Sequence, residues 1–315
     1  MADLHLLADV GGTNTRVGLA DPGHGLIDGT ARSFRNADFS GLAPLLATYL
    51  STQGAGQITA LCAGVAGPVR GHAAQLTNHD WHITADDLRA AIGAAHVHLL
   101  NDLQAQALAL DDLPADAITP LRPGTPDAGS RLVLGLGTGC NVAVAHRIEG
   151  RLFVPPAESG HSALPHLDPP LNALIRHLAH DHPHKPIAAA LSGPGLQRIY
   201  HWQAGTPRNT HEIIAGHTAG TDPHASAALT LFARLLGAVA GNLCLHHMAT
   251  GGLYLIGGTA RATAPHLRPL GFDASFTARG PYAAIIEAIP VHLICDDTAA
   301  LRGCARHLRD MLTAP

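Results

Sequence analysis

The stretch LLADVGGTNTRVGLAD, residues 6–21, decides the fold of this chain. Two apolar runs flank the turn formed by residues 11–14, and Asp9 stands near the end of the first run. Glycine enters turn conformations that other residues avoid, so the pattern predicts a β-hairpin. A tight hairpin alone explains it, and so does a turn that holds a phosphate. Only the rest of the chain can separate these two interpretations.

The composition is typical of a globular protein with a large core. The chain has 315 residues, of which 46% are hydrophobic and 14% charged, and the length favours two domains. The net charge of −4 argues against a nucleic-acid partner. Five scattered cysteines without a CxxC motif indicate reduced thiols in a cytoplasm. The most apolar run, 231–245, contains Arg234 and Asn242, so no membrane partner is expected.

Strands and helices alternate along the chain, which predicts an α/β fold. A second strand–glycine–strand unit at 132–145 resembles the opening hairpin. Residues 84–93 predict a helix with Thr84 as its N-cap, and 96–102 a strand that ends in two polar residues. The sequence SGPG at 192–195 reads as a turn before a helix. Further helices are predicted at 225–248 and at the end of the chain.

The residues that known phosphate-binding loops require exclude some classes of nucleotide site for this chain. Lys185 is the only lysine and lies in HPHKP, so a loop whose lysine reaches the phosphates is excluded. GLGTGC, residues 135–140, runs on into an apparent strand, which does not fit a dinucleotide fingerprint. There remain two Gly/Thr turns between strands, whose backbone N–H groups and threonine hydroxyls can contact phosphate oxygens. Asp9 and a third glycine cluster at 251–258 accompany them.

Seven short motifs then make the chain recognisable. DVGGTNTR, LTNHDW, LLND, GLGTG, ESGH, LSGPGL and GGLYLIGG occur in the order found in the bacterial glucokinase family, which belongs to the superfamily of hexokinase, actin and heat-shock chaperone ATPases. The resemblance covers essentially the whole chain. Related sugar kinases and repressors carry a cysteine-rich zinc motif after the GH, whereas no cysteine lies between Cys140 and Cys244 here.

The resemblance implies an α/β, two-lobed actin-like ATPase (ribonuclease H-like) fold with a cleft between the lobes. A small domain would span residues 1–110 and be completed by a C-terminal helix at 298–315, and a large domain would span 111–297. The family's cofactors are ATP and Mg²⁺. The expected partners are a small-molecule sugar, ATP and a second copy of the chain in a homodimer.

The resemblance also assigns residues to the nucleotide. Asp9 would position Mg²⁺ through water. The first phosphate turn would consist of Gly11, Gly12, Thr13 and Asn14, and the second of Gly137, Thr138 and Gly139. Four further glycines would let the backbone approach the nucleoside, namely Gly193, Gly195, Gly257 and Gly258. Phosphoryl transfer is mostly positioning and charge stabilisation, so glycine backbones and one metal carboxylate can suffice.

The sugar side follows from the same resemblance. Asp102 is the expected general base, which would take the proton of the attacking hydroxyl. Asn101, Glu158 and His161 match sugar-contacting positions, and Asn78 is a weaker candidate. Taken alone, LLND favours a helix N-cap over a catalytic site, and His161 alone favours a structural histidine over a sugar contact. Trp81, which follows Asn78 in LTNHDW, is expected to pack in the core.

Three departures from the family pattern bear on the sugar. The family has a glutamate four residues before the serine of SGPG, where this chain has Ala188. ESGH replaces the more usual EGGH, and GTGCN replaces GTGLG. The leading hypothesis is an ATP-dependent glucokinase acting on the 6-hydroxyl of glucose. The alternatives are a kinase for another or 2-substituted hexose, because Ala188 leaves room there, and a catalytically weak sugar sensor.

One histidine-rich segment stands outside these assignments. Residues 177–184 include His177, His180, His182 and His184. A metal site is one interpretation, but no pattern of carboxylates and histidines on a helix supports it. A solvated loop is the prediction.

Overall fold

The computed structural model describes residues 3–54, 56–76 and 79–313. The chain divides into two compact units. Unit 1 takes the described parts of Met1–Ala115, Ile148–Pro156 and Asp296–Pro315, and unit 2 takes Asp116–Arg147 and Ala157–Cys295. The sequence-based division did not place residues 148–156 with the first unit.

The strands and helices follow in chain order. The strands are β1 (Asp3–Val10), β2 (Asn14–Asp21), β3 (Gly25–Leu26), β4 (Arg32–Arg35), β5 (Gln57–Val65), β6 (Val69–Arg70), β7 (Ala73–Gln75), β8 (His82–Thr84), β9 (His96–Asn101), β10 (Ile118–Arg122), β11 (Arg131–Leu136), β12 (Cys140–Ile148), β13 (Arg151–Phe153), β14 (Gly252–Ile256) and β15 (Val291–Ile294). The helices are α1 (Leu42–Gln53), α2 (Ala85–Ile92), α3 (Asp102–Leu108), α4 (Pro169–Leu178), α5 (Ile187–Ala190), α6 (Gly193–Ala204), α7 (Thr210–Thr218), α8 (Pro223–His247), α9 (Gly258–Leu267), α10 (Phe272–Thr277), α11 (Ala283–Ala288) and α12 (Ala299–Leu312).

The opening hairpin lies inside the main sheet of unit 1. Its strands are ordered β3-β2-β1-β5-β9, with β1 antiparallel to β2 and parallel to β5. Side chains alternate across a strand, so Leu6 and Ala8 join the core with α1 and α2 on one face, while Leu7 joins the opposite face. The predicted hairpin is confirmed, and β9 runs parallel to β5 beyond it.

Helix α2 follows its sequence signals closely. The Thr84 hydroxyl accepts a hydrogen bond from the Asp87 N–H at 3.1 Å, and Gly93 ends the helix with φ +77°. The left-handed φ explains why glycine stands there, since a Cβ disfavours that conformation. Both predicted caps are confirmed.

Helices α3 and α12 cover the second face of the unit 1 sheet. Leu301, Cys304 and Leu308 of α12 are buried there with Ala105 of α3. The helices approach closely because Gly303 lacks a side chain: a Cβ on it would stand 1.6 Å from the Ala105 carbonyl oxygen. The last helix of the chain therefore supports the helix that begins with Asp102.

This contact predicts an unusual outcome for a helical glycine. Glycine to alanine usually stabilises a helix by about 1 kcal/mol, but Gly303→Ala must push α12 away from α3. We expect Gly303→Ala to lower the free energy of unfolding by about 2 kcal/mol or more, as overpacked cores do. Urea unfolding measures it, with the Met311→Ala variant at an exposed position of α12 as the control. A stabilised Gly303→Ala variant would contradict the contact.

Unit 2 is built around a second sheet and one long helix. Its strands run in the order β10-β15-β14-β11-β12, with β11 antiparallel to β12 and parallel to β14. Helix α8 is long and apolar enough to span a membrane, but 78% of its most apolar window is buried within the structure. Leu229, Phe232 and Leu236 join the core of this unit. Helix α8 is thus the core helix on which α6 and α10 pack.

The sequence prediction for SGPG is wrong. These residues are not a turn ahead of a helix, because α6 already begins at Gly193 with Ser192 as its N-cap. Proline is tolerated in the first helical turn, where its missing N–H has no partner to lose. Pro194 is therefore the second residue of this helix and lies in its first turn.

Candidate active site

The turn of the opening hairpin is held rigidly by a residue from a distant segment. The Gly11 N–H donates to the Asn14 carbonyl at 3.0 Å. Asn36, which is fully buried, donates from Nδ2 to the Gly11 carbonyl at 2.8 Å and from its backbone N–H to the Thr13 carbonyl at 2.9 Å. Its Oδ1 accepts from the Thr15 hydroxyl at 2.8 Å. Asn36 thus fixes the turn, a role that sequence reasoning missed.

The four predicted phosphate-binding residues of this turn differ in solvent exposure. Thr13 and Asn14 are exposed, whereas Gly11 and Gly12 are half-buried. A Cβ on Gly11 would lie 3.0 Å from the Asn14 carbonyl oxygen, so glycine suits the tight turn there. The structure brings the four residues together.

Asp9 lies on β1 directly before this turn and faces Arg16 across the hairpin. Its carboxylate oxygen Oδ2 is 3.8 Å from Arg16 Nη1, and its side chain is 20% exposed. Burial raises the pKa of Asp9 to about 6; the Arg16 charge opposes that rise and the Asp297 carboxylate adds to it. Arg16 also donates to the Asp297 backbone carbonyl. The site therefore holds a carboxylate whose negative charge is only partly compensated.

Asn101 and Asp102 lie where β9 passes into α3. Asn101 is buried and caps the helix: its Oδ1 accepts from the Leu103 N–H at 3.0 Å, and its own N–H donates to Gln104 Oε1 at 3.0 Å. Its Nδ2 donates to the Gly67 carbonyl at 3.3 Å. The N-cap interpretation of LLND is thus correct for Asn101, and the sugar contact stays a prediction.

Asp102 is the first residue of α3, not the last residue of the strand as the sequence indicated. It is half-buried, and its Oδ1 accepts from the Leu103 N–H at 2.8 Å. A Cβ on Gly64 of β5 would lie only 3.1 Å from the Ala105 Cβ, so a glycine in the neighbouring strand lets α3 pack close to the sheet.

The loop that bears LTNHDW is only partly described. Asn78 lies outside the described residues. Trp81 is 5% exposed and belongs to the core of unit 1. Its predicted packing role is confirmed.

In unit 2 three glycine motifs meet at one carbonyl group. The Gly137 carbonyl accepts from the Gly193 N–H at 2.8 Å and from the Thr259 hydroxyl at 3.1 Å. Gly257 takes φ +105°, and a Cβ on it would stand 2.4 Å from the Leu136 carbonyl oxygen. The second hairpin turn, the start of α6 and the start of α9 are thereby joined. Thr259 was not anticipated, although it directly follows the predicted Gly257 and Gly258.

The exposed part of this cluster is open to a ligand. Among the residues that the structure describes, nothing lies within 4 Å of a Cβ placed on Gly137, Gly139 or Gly258, and Thr138 is exposed. Gly195 differs, because it is buried and its Cβ would stand 2.1 Å from the Ala190 carbonyl oxygen. Its absent side chain lets α6 pack on α5; contact with a nucleoside stays a prediction for Gly193 and Gly195.

Glu158 and His161 lie at the two ends of one short turn. The segment Ser159–His161 is a 3₁₀ turn whose His161 N–H donates to the Glu158 carbonyl at 3.1 Å. Both side chains are exposed. The Glu158 carboxylate accepts a hydrogen bond from Asn141 Nδ2 at 3.1 Å, which sequence reasoning also missed.

Ala188 lies on α5, next to the chain that leaves this turn. The Ile187 N–H donates to the Ser162 carbonyl at 2.9 Å. Ala188 is half-buried and packs against the core of unit 2. A methyl group thus stands at a position close in the fold to the segment of Glu158 and His161.

The histidine-rich segment shows no metal-site geometry. Among the described residues, no group of three or more His, Cys, Asp or Glu side chains is arranged to hold a metal ion. His177 instead stacks on Trp202, with ring centroids 5.9 Å apart. The five cysteines are free thiols.

Comparison with known proteins gives a consistent result. The sequence profile of the family Glucokinase matches residues 6–311. A glucokinase of Saccharophagus degradans is 32% identical over 314 residues, covering 96% of this chain and 98% of that protein. The crystal structure of a glucokinase from an Antarctic psychrotroph is 28% identical, with a TM-score of 0.88 over 98% of this chain and 100% of that one. A ROK family glucokinase from Streptomyces griseus, solved with glucose and AMPPNP, shares the fold at 18% identity and a TM-score of 0.66, over 98% and 99% of the two chains.

The fold is that of a sugar kinase of the actin-like ATPase class, and the predicted α/β fold class is confirmed. The chain belongs to the glucokinase family. The family resemblance found in the sequence is confirmed over nearly the whole chain, and the protein is a kinase that acts on a sugar.

Proposed function

We propose that this chain transfers the γ-phosphoryl group of ATP to the 6-hydroxyl of glucose. The observation that carries the proposal is that the Gly193 N–H and the Thr259 hydroxyl both donate to the Gly137 carbonyl. These hydrogen bonds join three glycine motifs into one open, glycine-lined surface. Backbone N–H groups on such a surface suit phosphate oxygens. The glucokinases that match the chain support the choice of sugar.

The reaction needs a base and an in-line attack. The carboxylate of Asp102 accepts the proton of the sugar hydroxyl, the hydroxyl oxygen forms a bond to the γ-phosphorus, and the bond to the β-phosphate oxygen breaks to release ADP. The turn of Gly11, Gly12, Thr13 and Asn14 and the turn of Gly137, Thr138 and Gly139 hold the phosphates. Gly257 and Gly258 border the nucleotide, with Gly193 and Gly195.

Asp9 fits the role of the residue that holds Mg²⁺. Its partly buried carboxylate has a raised pKa and a second carboxylate, Asp297, nearby, so a cation is favoured there. Mg²⁺ commonly uses one or two carboxylates and keeps several waters. When bound, it neutralises charge on the phosphates.

The sugar is held by hydrogen bonds from several residue types. Glu158 offers carboxylate oxygens, His161 an imidazole, and Asn101 the second hydrogen of its amide; Asn78 is a further candidate. Buried or oriented polar groups reject analogues that lack the matching hydroxyl, because the site then keeps unpaired groups.

A second candidate function rests on Ala188. A methyl group there leaves space for a substituent on C1 or C2 of the sugar, so a kinase for another or 2-substituted hexose is the alternative. A panel of hexoses with ATP and Mg²⁺, followed by ADP release, tests both. We expect glucose to give the highest kcat/KM and a 6-phosphate product.

The other outcomes are informative. Background turnover of glucose together with rapid turnover of another hexose would overturn the glucose assignment and favour the alternative. Sugar binding without ADP release for any member of the panel would instead indicate a sugar sensor.

We further propose that the chain acts as a homodimer in the cytoplasm, as its family resemblance implies. Sedimentation velocity of the purified protein measures the assembly. A single species of monomer mass at micromolar concentration would contradict the dimer.

A further inference from the structure

The side chain of Asn141 joins the second phosphate turn to the segment that bears Glu158. Its Nδ2 donates one hydrogen bond to Glu158 Oε2 at 3.1 Å and one to the Ala157 carbonyl at 2.8 Å. Asn141 is the second residue of β12, which leaves the turn of Gly137, Thr138 and Gly139. One amide group thus contacts both the backbone and the side chain of the opposite segment.

A close backbone approach at the same place supports this connection. A Cβ on Gly160 would stand 1.6 Å from the Cys140 carbonyl oxygen, so the 157–160 segment lies directly on the start of β12. Gly160 and Asn141 therefore fix the two segments together, one by absence of a side chain and one by hydrogen bonds. Asn141 belongs to GTGCN, where the sequence pattern of the family has a glycine.

We propose that Asn141 is a positioning residue for sugar binding in this chain, which orients the Glu158 carboxylate for the sugar hydroxyls. The inference rests on the proposed function, in which Glu158 binds the sugar. Glu158 is exposed, so without a partner it would sample several rotamers and lose that freedom when sugar binds. A donor on Oε2 fixes the carboxylate beforehand and leaves Oε1 to accept a sugar hydroxyl.

The chemistry of an amide donor makes the proposal specific. An asparagine side chain donates hydrogen bonds without titrating, whereas an aspartate of the same shape would turn both donors into acceptors. Aspartate would also set a negative charge against Glu158. The sizes of the effects of the alanine and aspartate variants therefore distinguish orientation of the Glu158 carboxylate from general support of the loop.

The test compares the variants Asn141→Ala and Asn141→Asp with the wild-type enzyme. We expect Asn141→Ala to raise the KM for glucose about three- to tenfold, the size of one typical lost hydrogen bond, and to leave the KM for ATP within twofold. Asn141→Asp should raise the KM for glucose further, because it removes both donors and sets a negative charge against the Glu158 carboxylate.

Two further variants make the test selective. Asn172 is the matched control, because it also holds a loop of unit 2, accepting from the Leu167 N–H at 2.9 Å; Asn172→Ala should leave the KM for glucose within twofold. In a Glu158→Gln background, the Asn141→Ala change should have a smaller effect on glucose affinity, measured by calorimetry, than in the wild type.

The outcomes separate this inference from the proposed function. If the wild type releases no ADP with any sugar, the proposed function fails and this inference fails with it. If the wild type is active but Asn141→Ala behaves like Asn172→Ala, or raises the KM values for glucose and ATP equally, only the role of Asn141 is overturned. An undiminished effect in the Glu158→Gln background would overturn it too.

Discussion

Asp102→Asn is expected to lower kcat by about 10²–10⁴-fold, the contribution of a general base. Asparagine keeps the shape and the acceptor oxygen that binds the Leu103 N–H, so the start of α3 should stay intact. What it loses is the ability to take the proton of the sugar hydroxyl. Steady-state kinetics with ATP and glucose measure the loss, which should fall on kcat while the KM for each substrate changes only a few-fold.

The control for this variant removes a carboxylate elsewhere in unit 1. Asp86 lies on α2, and its side chain is 87% exposed; Asp86→Asn should retain wild-type kcat. If Asp102→Asn also turned over at the wild-type rate with every sugar tried, Asp102 could not be the base. A folded, binding-competent but inactive Asp102→Asn is the expected result.

Asp9→Asn is expected to lose activity and gain stability. Loss of the carboxylate that we propose to hold Mg²⁺ should lower kcat/KM by about 10²–10³-fold, as for other preorganised electrostatic groups. Yet burial raises the pKa of Asp9 from 3.8 to about 6, which means that the folded chain holds its charged form at a cost. A neutral amide avoids that cost, so function and stability should change in opposite directions.

The pH dependence of this gain has a definite sign. A carboxyl group whose pKa is higher in the folded chain stabilises the fold while it is protonated; that stabilisation is complete below pH 3.8 and is lost as the pH rises through about 6. In metal-free protein, Asp9→Asn should therefore match the wild type near pH 4. Above pH 6 it should be more stable by about 3 kcal/mol.

A second carboxylate of the same hairpin provides the opposite control. The hydrogen bond from His24 lowers the pKa of Asp21, with further bonds from the backbone of Gly23 and His24. Asp21→Asn should thus lose stability above pH 4 where Asp9→Asn gains it. Urea unfolding with a chelator, from pH 4 to pH 8, measures both. Equal stability of Asp9→Asn and wild type at pH 8 would contradict the idea that the buried Asp9 carboxylate destabilises the fold when it is charged.

The parts of the structure that sequence predicted are those with local causes. Alternation of apolar residues around a glycine turn specifies a hairpin, and Thr84 and Gly93 mark the ends of α2 by bonds that span only a few residues. The family motifs then predicted which glycine turns form the nucleotide site, and the glycine turns of unit 2 lie together at the Gly137 carbonyl.

The parts that sequence did not predict depend on contacts between distant residues. Asn36 reaches Gly11 across 25 residues, and Asn141 reaches Glu158 across 17, with no spacing rule that links either pair. The prediction of a turn at SGPG failed for a different reason. Glycine and proline mark a loop in many contexts, but here Ser192 caps a helix whose first turn accepts proline. Residues 148–156 join unit 1 although the chain on both sides belongs to unit 2.

The pairing of α3 with α12 has a consequence for how the protein is made. Asp102 is synthesised in the first third of the chain, but half of the apolar cluster on its side of the sheet comes from residues 300–308. Nascent chains fold as they emerge, N-terminal parts first, yet this face stays uncovered until α12 has left the ribosome. Translation that stops before residue 299 therefore yields a product with an exposed apolar surface and without the helix that packs against α3. Tags and fusions at the carboxyl end must leave α12 free to dock.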